Sequence, residues 1–131
     1  MAQAVNFSVR AFANGTIFIC SKVFDLAGTR ITSADLSGIS YTIYSLGTRG
    51  NSERRAVTGH ENVSLSVADV FFDTLQTGVF NGSNVEYNFR WTIDNSENEC
   101  FPNANEKYLV RIDFHPVSGF VSPIQIIVDA I

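Results

Sequence analysis

The stretch that decides the fold is Tyr87-Asn88-Phe89-Arg90-Trp91-Thr92-Ile93. Its apolar side chains alternate with polar ones, and this period of two is the signature of a β-strand with one buried face. We therefore predict a strand whose aromatic face lies in a core. The alternative is that Tyr87, Phe89 and Trp91 form an exposed platform for stacking on carbohydrate, but their strict same-face alternation favours the core.

The same alternation recurs on both sides of this stretch. It marks residues 39–46 and 108–114, and in a final segment it places Ile124, Ile126 and Val128 on one face. About seven such segments, separated by turns rich in glycine and asparagine, are typical of two packed antiparallel sheets. The sequence therefore predicts an all-β fold, an antiparallel β-sandwich that spans residues 1–131 as a single domain.

The chain begins with a further alternating segment, and residues 1–13 are predicted to hold an added N-terminal strand. Its apolar positions are Val5, Phe7, Val9 and Ala11. The pair Asn14-Gly15 follows, and it is a strong hairpin signal because a type I′ turn needs positive φ at both central residues. We expect the chain to return through residues 16–24, which are apolar on both faces and therefore predicted to be central in a sheet.

One segment departs from the strand pattern. Ser66 and Asp69 are spaced as a helix cap and a first-turn carboxylate, and the apolar residues that follow recur at helical spacing. We predict one short helix or 3₁₀ segment over residues 67–75. Its apolar stripe is expected to pack across an open end of the sandwich.

Composition and charge exclude several classes of function. Apolar residues make up 45% of the chain and charged residues 17%, which excludes an intrinsically disordered chain. The net charge of −4 argues against nucleic acid as a partner, because phosphate binding favours a basic surface. No apolar run approaches the ~18 residues of a membrane-spanning helix, so we expect no membrane partner.

The two cysteines, Cys20 and Cys100, are too few for a disulfide framework. The N-terminus has neither a basic region nor a long apolar stretch, so no secretory signal is expected. We therefore expect two reduced thiols. A bridge that ties the early strand to the later loop is the alternative.

The sequence contains no recognisable catalytic motif. His60 lies in a polar loop and His115 at a strand end, and we expect both to face solvent. No nucleophile elbow, phosphate-binding loop or metalloprotease motif occurs. We therefore predict that the protein is not an enzyme, that it has no catalytic residues and that it needs no cofactor.

The acidic loop, residues 94–99, carries Asp94, Glu97 and Glu99 among asparagines. Such oxygen donors suit calcium, but the EF-hand pattern fails because it lacks the turn glycine and the terminal glutamate. We therefore expect a solvated run of charge and no metal.

The basic loop, residues 47–55, carries Arg49, Arg54 and Arg55. Clustered arginines on a loop are usually solvated. The alternative is contact with an acidic partner, because the guanidinium fork suits interfacial ion pairs. The charged residues of the acidic and basic loops are therefore the candidate interface.

Three stretches carry a resemblance to a known class of proteins. They are residues 24–28 leading into 31–41, residues 65–76, and residues 87–91 followed by Phe101-Pro102. Together they resemble small virion structural proteins of tailed bacteriophages and prophages. That class includes capsid decoration (cement) proteins and head–tail or baseplate accessory proteins with immunoglobulin-like sandwiches.

The resemblance implies a protein that works by contact. It implies an immunoglobulin-like sandwich in a virion assembled in the bacterial cytoplasm, with other virion proteins as partners in a multi-copy assembly. We thus expect a capsid cement or head–tail junction protein. The alternative is a receptor- or carbohydrate-binding sandwich module of a tail or cell surface, which would expose aromatic side chains such as Phe80, Phe101 and Phe120.

Overall fold

The computed structural model describes residues 5–24, 31–47, 54–80, 82–118 and 121–131. The described chain is all-β, as predicted, apart from a 3₁₀ turn at Ser33–Asp35 and one helical turn, α1, at Val67–Val70. In chain order the strands are β1 Val5–Ala11, β2 Phe18–Ser21, β3 Leu36–Gly47, β4 Arg55–Ala56, β5 Val63–Leu65, β6 Phe71–Phe80, β7 Ser83–Thr92, β8 Lys107–Pro116 and β9 Ser122–Ala130.

The strands form two sheets. The larger has the order β1-β9-β8-β3-β4, with β5 also paired to β3, and the smaller has the order β2-β7-β6. All the pairs are antiparallel except β1 with β9, which is parallel. The antiparallel majority agrees with the sequence prediction.

The centre of the larger sheet follows directly from the period of two. Tyr41 of β3 lies opposite Ile112 of β8, and Ile43 lies opposite Val110. All four side chains are buried. Branched and aromatic side chains at these positions fit the pleated surface and exclude water from it, so β3 and β8 form the best-packed part of the sheet.

Aromatic rings hold the two sheets together. The Tyr41 and Trp91 rings meet with centroids 4.5 Å apart, and those of Phe89 and Phe114 meet edge-on at 5.1 Å. In each pair one residue belongs to β7 of the smaller sheet and the other to the larger sheet. Trp91 is only 8% exposed. The prediction that the alternating stretch faces a core is therefore confirmed.

The predicted N-terminal hairpin is wrong. Asn14 does adopt a positive φ of 65°, and the Gly15 amide donates to the Phe12 carbonyl at 2.9 Å. The turn, however, leads from β1 in the larger sheet to β2 in the smaller one. β1 pairs instead with β9 over seven residues, and the register sets its alternating apolar positions opposite those of β9, from Val5 with Ile124 to Ala11 with Ala130. Local turn chemistry was outweighed by a longer ladder.

The prediction that residues 16–24 form a central strand is also wrong. β2 is four residues long and lies at the edge of the smaller sheet, paired only with β7. Of its apolar residues Ile19 is buried, whereas Phe18 on the other face is 47% exposed. Apolar residues on both faces of a strand therefore do not show that the strand has a neighbouring strand along each of its two edges.

The predicted helix over residues 67–75 is only one turn long. Ser66 caps it through its backbone, because the Asp69 amide donates to the Ser66 carbonyl at 3.0 Å and the serine side chain makes no capping bond. Phe71 is already extended, with φ −118° and ψ 135°, and it pairs with Phe89 in β7. Burial of Phe71 against Phe114 overrides the helical spacing.

The core predicts a large cost for truncating the central tryptophan. We expect Trp91→Ala to lower the free energy of unfolding by about 3–5 kcal/mol, because it removes the ring that packs on Tyr41. Val79→Ala, at an exposed position on β6, is the matched control and is expected to cost less than about 1 kcal/mol. Urea denaturation monitored by circular dichroism measures both, and similar losses would contradict the assignment of Trp91 to the core.

Candidate functional site

His60 is the one predicted solvent-facing histidine that the fold buries, so that prediction is wrong. It is 2% exposed, and both ring nitrogens have partners. Its Nδ1 lies 2.8 Å from the Tyr41 hydroxyl, and its Nε2 lies 2.7 Å from the Asn98 carbonyl oxygen. No local sequence pattern predicts the burial of a polar residue in a glycine-containing turn. The burial of His60 results from its contacts with Tyr41 and Asn98, which are distant in the chain.

The partners of the ring fix its tautomer. A carbonyl oxygen only accepts, so Nε2 of His60 carries the hydrogen and donates to Asn98. In the neutral ring Nδ1 is then an acceptor, and the Tyr41 hydroxyl donates to it. Because both nitrogens are used and the ring is buried, His60 has no free atom with which to reach a substrate. It ties β3 to the acidic loop.

Burial also keeps the Tyr41 hydroxyl protonated. It raises the pKa of Tyr41 to about 12, with smaller contributions from Cys100 and Asp94. Tyr41 therefore stays a donor well above neutral pH. Cys100 is buried beside it, and burial raises the pKa of its thiol as well. The Cys100 thiol donates to the Gly15 carbonyl oxygen, with the sulfur 3.1 Å from that oxygen. Both cysteines are free thiols, as expected.

Gly59 allows the turn before His60 to approach the acidic loop. It has a φ of 82°, and a Cβ built on it would lie 2.3–2.7 Å from side-chain atoms of Asn98. An L-amino acid with a side chain cannot occupy that space unless the loop moves. This role of Gly59 cannot be predicted from the sequence, since a lone glycine in a polar stretch is typical of any turn.

The acidic loop is braced by its own side chains. The Asp94 carboxylate accepts from the Ser96 amide at 2.9 Å, and hydrogen bonds from Ser96 hold the pKa of Asp94 below its usual range. With the Asn14 amide nitrogen turned towards it, Glu99 accepts two hydrogen bonds, at 3.1 and 2.7 Å. Glu97 is exposed. Two of the three predicted carboxylates therefore shape the loop.

No metal centre is assembled in the part of the chain that the structure describes. Groups of three or more His, Cys, Asp or Glu side chains placed to hold an ion do not occur among those residues.

The basic loop is described only at its end. Arg49 lies outside the described residues, Arg54 stacks over the Tyr44 ring at 5.9 Å, and Arg55 opens β4. Both Arg54 and Arg55 are exposed. The ion pairs between described residues involve neither these arginines nor the acidic loop. The turn at residues 57–60 directly follows β4 and contacts Asn98, so it connects the end of the basic loop to the acidic loop without an ion pair between them.

The remaining candidate residues are His115 and the three aromatic residues that were predicted to be exposed. His115 is partly exposed, with Nε2 2.8 Å from the Ser40 hydroxyl oxygen, so it faces solvent only in part. Phe101, predicted as an exposed aromatic, is fully buried against Tyr108. The Phe80 side chain and Phe120 lie outside what the structure describes.

Sequence reasoning also missed Asn88. On the strand it alternates with the buried aromatic residues, which predicts solvent exposure, yet it is fully buried. Its side-chain oxygen accepts from the Val23 amide at 2.7 Å, and its nitrogen donates to the Val23 carbonyl at 3.0 Å. The Asn88 side-chain amide therefore satisfies the backbone amide and carbonyl of Val23, just after β2 ends and its backbone pairing with β7 stops. No local pattern distinguishes such an asparagine from an exposed one.

Comparison of the chain with models of protein families, with curated proteins and with solved structures finds no match. Among the helices of the described residues, none has the length and hydropathy needed to cross a membrane.

The buried hydroxyl predicts a pH-dependent stability. A raised folded-state pKa contributes stability that is complete below the ordinary tyrosine value of 10.0 and is lost as the pH rises through about 12. We expect Tyr41→Phe to cost about 1–3 kcal/mol at neutral pH, because it leaves Nδ1 of His60 without a donor. We expect the variant to lose less further stability than the parent above pH 10.

Urea denaturation at a series of pH values measures this difference. Tyr44→Phe, at a partly exposed tyrosine outside the chain of hydrogen bonds, serves as the matched control and should follow the parent. If Tyr41→Phe and the parent lose stability in parallel from neutral to alkaline pH, the hydroxyl does not titrate as a buried group.

Gly59 supplies a second test of this end of the fold. We expect Gly59→Ala to cost at least about 1–2 kcal/mol from its positive φ alone, and more because the methyl group meets Asn98. The control is Gly38→Ala, at a β3 position where an added Cβ meets nothing within 4 Å. Thermal denaturation of the two variants compares them, and equal melting temperatures would show that the turn does not pack on the acidic loop.

Proposed function

We propose that the chain is a non-enzymatic structural protein of a tailed-phage particle, which binds neighbouring virion subunits as a capsid cement or head–tail junction protein. The observation that carries the proposal is the charged end of the fold. Glu97, Arg54 and Arg55 are exposed, and the 57–60 turn, which follows β4, contacts Asn98 of the acidic loop through Gly59 and His60. Because these charges make no ion pair with one another, they are available to a neighbouring subunit.

The rigidity of this end supports a role in docking. The Tyr41–His60–Asn98 hydrogen bonds fix the turn and the acidic loop relative to β3. A surface held in one geometry loses little conformational entropy on binding. Charged groups in such an interface contribute register and partner choice more than affinity. In a multi-copy assembly modest affinity at each contact is sufficient, because linked contacts act together.

The strand order supports an immunoglobulin-like form of the sandwich as part of this proposal. In the immunoglobulin fold one sheet contains strands B, E and D and the other contains G, F and C, with C′ added in the variable type. The order β2-β7-β6 corresponds to the first and β9-β8-β3-β4 to the second. The fold departs from antibody domains in its tryptophan, which lies on β7 at the position of strand E, and in its free Cys20 and Cys100.

Mass spectrometry of purified virions tests the proposal. We expect particles of the phage or prophage that carries the gene to contain this chain at a fixed stoichiometry. A copy number that follows the shell subunit indicates decoration, and one that follows the portal ring indicates a junction. Absence of the chain from the particles would overturn the proposed function.

A charge reversal tests the surface. We expect Glu97→Arg to reduce the amount of chain bound to particles by about tenfold or more, because like charges juxtaposed across an interface are strongly unfavourable. Glu86→Arg makes the same change at an exposed position on β7 in the smaller sheet and is the matched control. Equal binding of the two variants at low salt would show that the acidic loop faces no partner.

A further inference from the structure

We propose that β1 pairs with β1 of a second copy of this chain, antiparallel and centred on Ser8, so that the larger sheet continues through a two-fold axis. The inference concerns a different surface from the charged end, and it does not depend on the particle in which the protein acts. It rests on the position of β1, its lack of edge protection and its self-complementary sequence.

β1 is the outermost strand of the larger sheet. It pairs on one side with β9, and no described strand pairs with its other side. A strand in this position presents a row of unpaired amide and carbonyl groups, which is a template for another strand. The ladder with β9 runs without interruption from Val5 to Ala11, so the open edge is regular along the whole strand.

The other strands with an open side in the described chain carry the usual protection. β2, β4 and β5 are four, two and three residues long, and β6 has an irregular register between Phe71 and Gln76. Short strands and bulges are the devices that prevent edge pairing. β1 has seven residues, no proline, no lysine and a single charged residue, Arg10. Among the strands that the structure describes, β1 alone has an edge that is both long and unprotected.

The sequence of β1 selects one register with a second copy. Directly opposite residues of an antiparallel pair share a face, so a register is acceptable only when apolar positions meet apolar positions. When the two-fold axis passes through a residue of β1, each apolar position lies opposite an apolar position of the second copy. When the axis passes between two residues, each apolar position lies opposite a polar one. The axis through Ser8 pairs the entire strand, while an axis through Phe7 or Val9 leaves residues at one end unpaired.

The Ser8 register also places each side chain beside a compatible one. Val5 lies opposite Ala11 of the second copy, and Phe7 lies opposite Val9, so the apolar face is continuous. On the other face Arg10 lies opposite Asn6 rather than opposite the second Arg10, and the two Ser8 residues meet on the axis. Like charges therefore do not confront one another, which is the requirement for a stable cross-strand pair.

Exposed apolar surface continues from this edge. Phe12 follows β1 directly and is 73% exposed, and Ile131 follows β9 and is also exposed. The two segments are joined there, because the Ala13 amide donates to the Ile131 carbonyl at 3.0 Å. An open edge beside exposed apolar side chains is typical of a surface that binds another protein chain.

A pair of opposite charges at the axis tests the pairing. In register Ser8 lies opposite Ile127, on the half-buried face of β9 rather than on the face of Ile126 and Val128 that is buried in the core. Position 8 therefore belongs to the sheet face that carries the exposed Arg10, and we expect it to tolerate a charge. We expect the parent to sediment as a dimer, and Ser8→Lys and Ser8→Asp each to raise the dimer Kd by about tenfold or more, because two like charges meet on the axis.

Mixing the two variants should restore the dimer as a heterodimer, since opposite charges then face each other. The mixture also keeps the test valid if one variant is less stable, because restoration requires both to be folded. Thr92→Lys, at an exposed position on β7, is the control for added charge and should remain dimeric. A parent that is monomeric at all concentrations, or a dimer that neither Ser8 variant weakens, would overturn the proposal.

Cross-linking tests the register itself. We expect Ser8→Cys to form a disulfide-linked dimer on mild oxidation, because directly opposite Cβ atoms lie about 4.5–5.5 Å apart. Arg10→Cys is the matched control on the same strand and the same face. Its two copies would be offset by about 13 Å along the strands and should not cross-link above the background of Cys20 and Cys100. Cross-linking through position 10 but not position 8 would exclude the Ser8 register.

Discussion

The contact between Tyr41 and Trp91 is the interaction on which the rest of the structure depends. It joins β3 at the centre of the larger sheet to β7 at the centre of the smaller one, with ring centroids 4.5 Å apart. An aromatic ring at this place fills the core, but the tyrosine also carries a hydroxyl into it. A buried hydroxyl without a partner costs more than a hydrogen bond returns, so the fold must supply an acceptor.

The acceptor determines the arrangement of the loops around it. His60 accepts from Tyr41, and because its other nitrogen must then donate, the Asn98 carbonyl has to lie within reach. That approach leaves no room for a side chain at Gly59. The position of the acidic loop thus follows from the need to satisfy one hydroxyl. A histidine that the sequence places in a polar loop is a structural link between a strand and a second loop.

How much the sequence predicts depends on whether the information is local. The inward faces of β3, β7, β8 and β9 were predicted correctly, because the alternation of apolar side chains is a property of consecutive residues. The partner of β1, the length of α1 and the burial of His60 were predicted wrongly, because each depends on residues distant in the chain. The charges of the candidate interface are visible in the sequence, but the roles of Asp94 and Glu99 in bracing the loop are not. The same limit hides Asn88, whose amide matters only because β2 ends beside it.

The two proposed surfaces differ in how far an assembly built from them can extend. A pairing of β1 with itself uses the same strand on both copies, so it is isologous and closes after two chains. It also pairs the long unprotected edge of β1, which is otherwise a template for strands of other chains. Contacts between charged ends are different, because an acidic surface on one subunit meets a basic surface on another and leaves its own basic surface available. Such heterologous contacts continue around a ring or across a lattice. A dimer of this kind, closed through its sheet edge, therefore still has its charged ends open to further subunits.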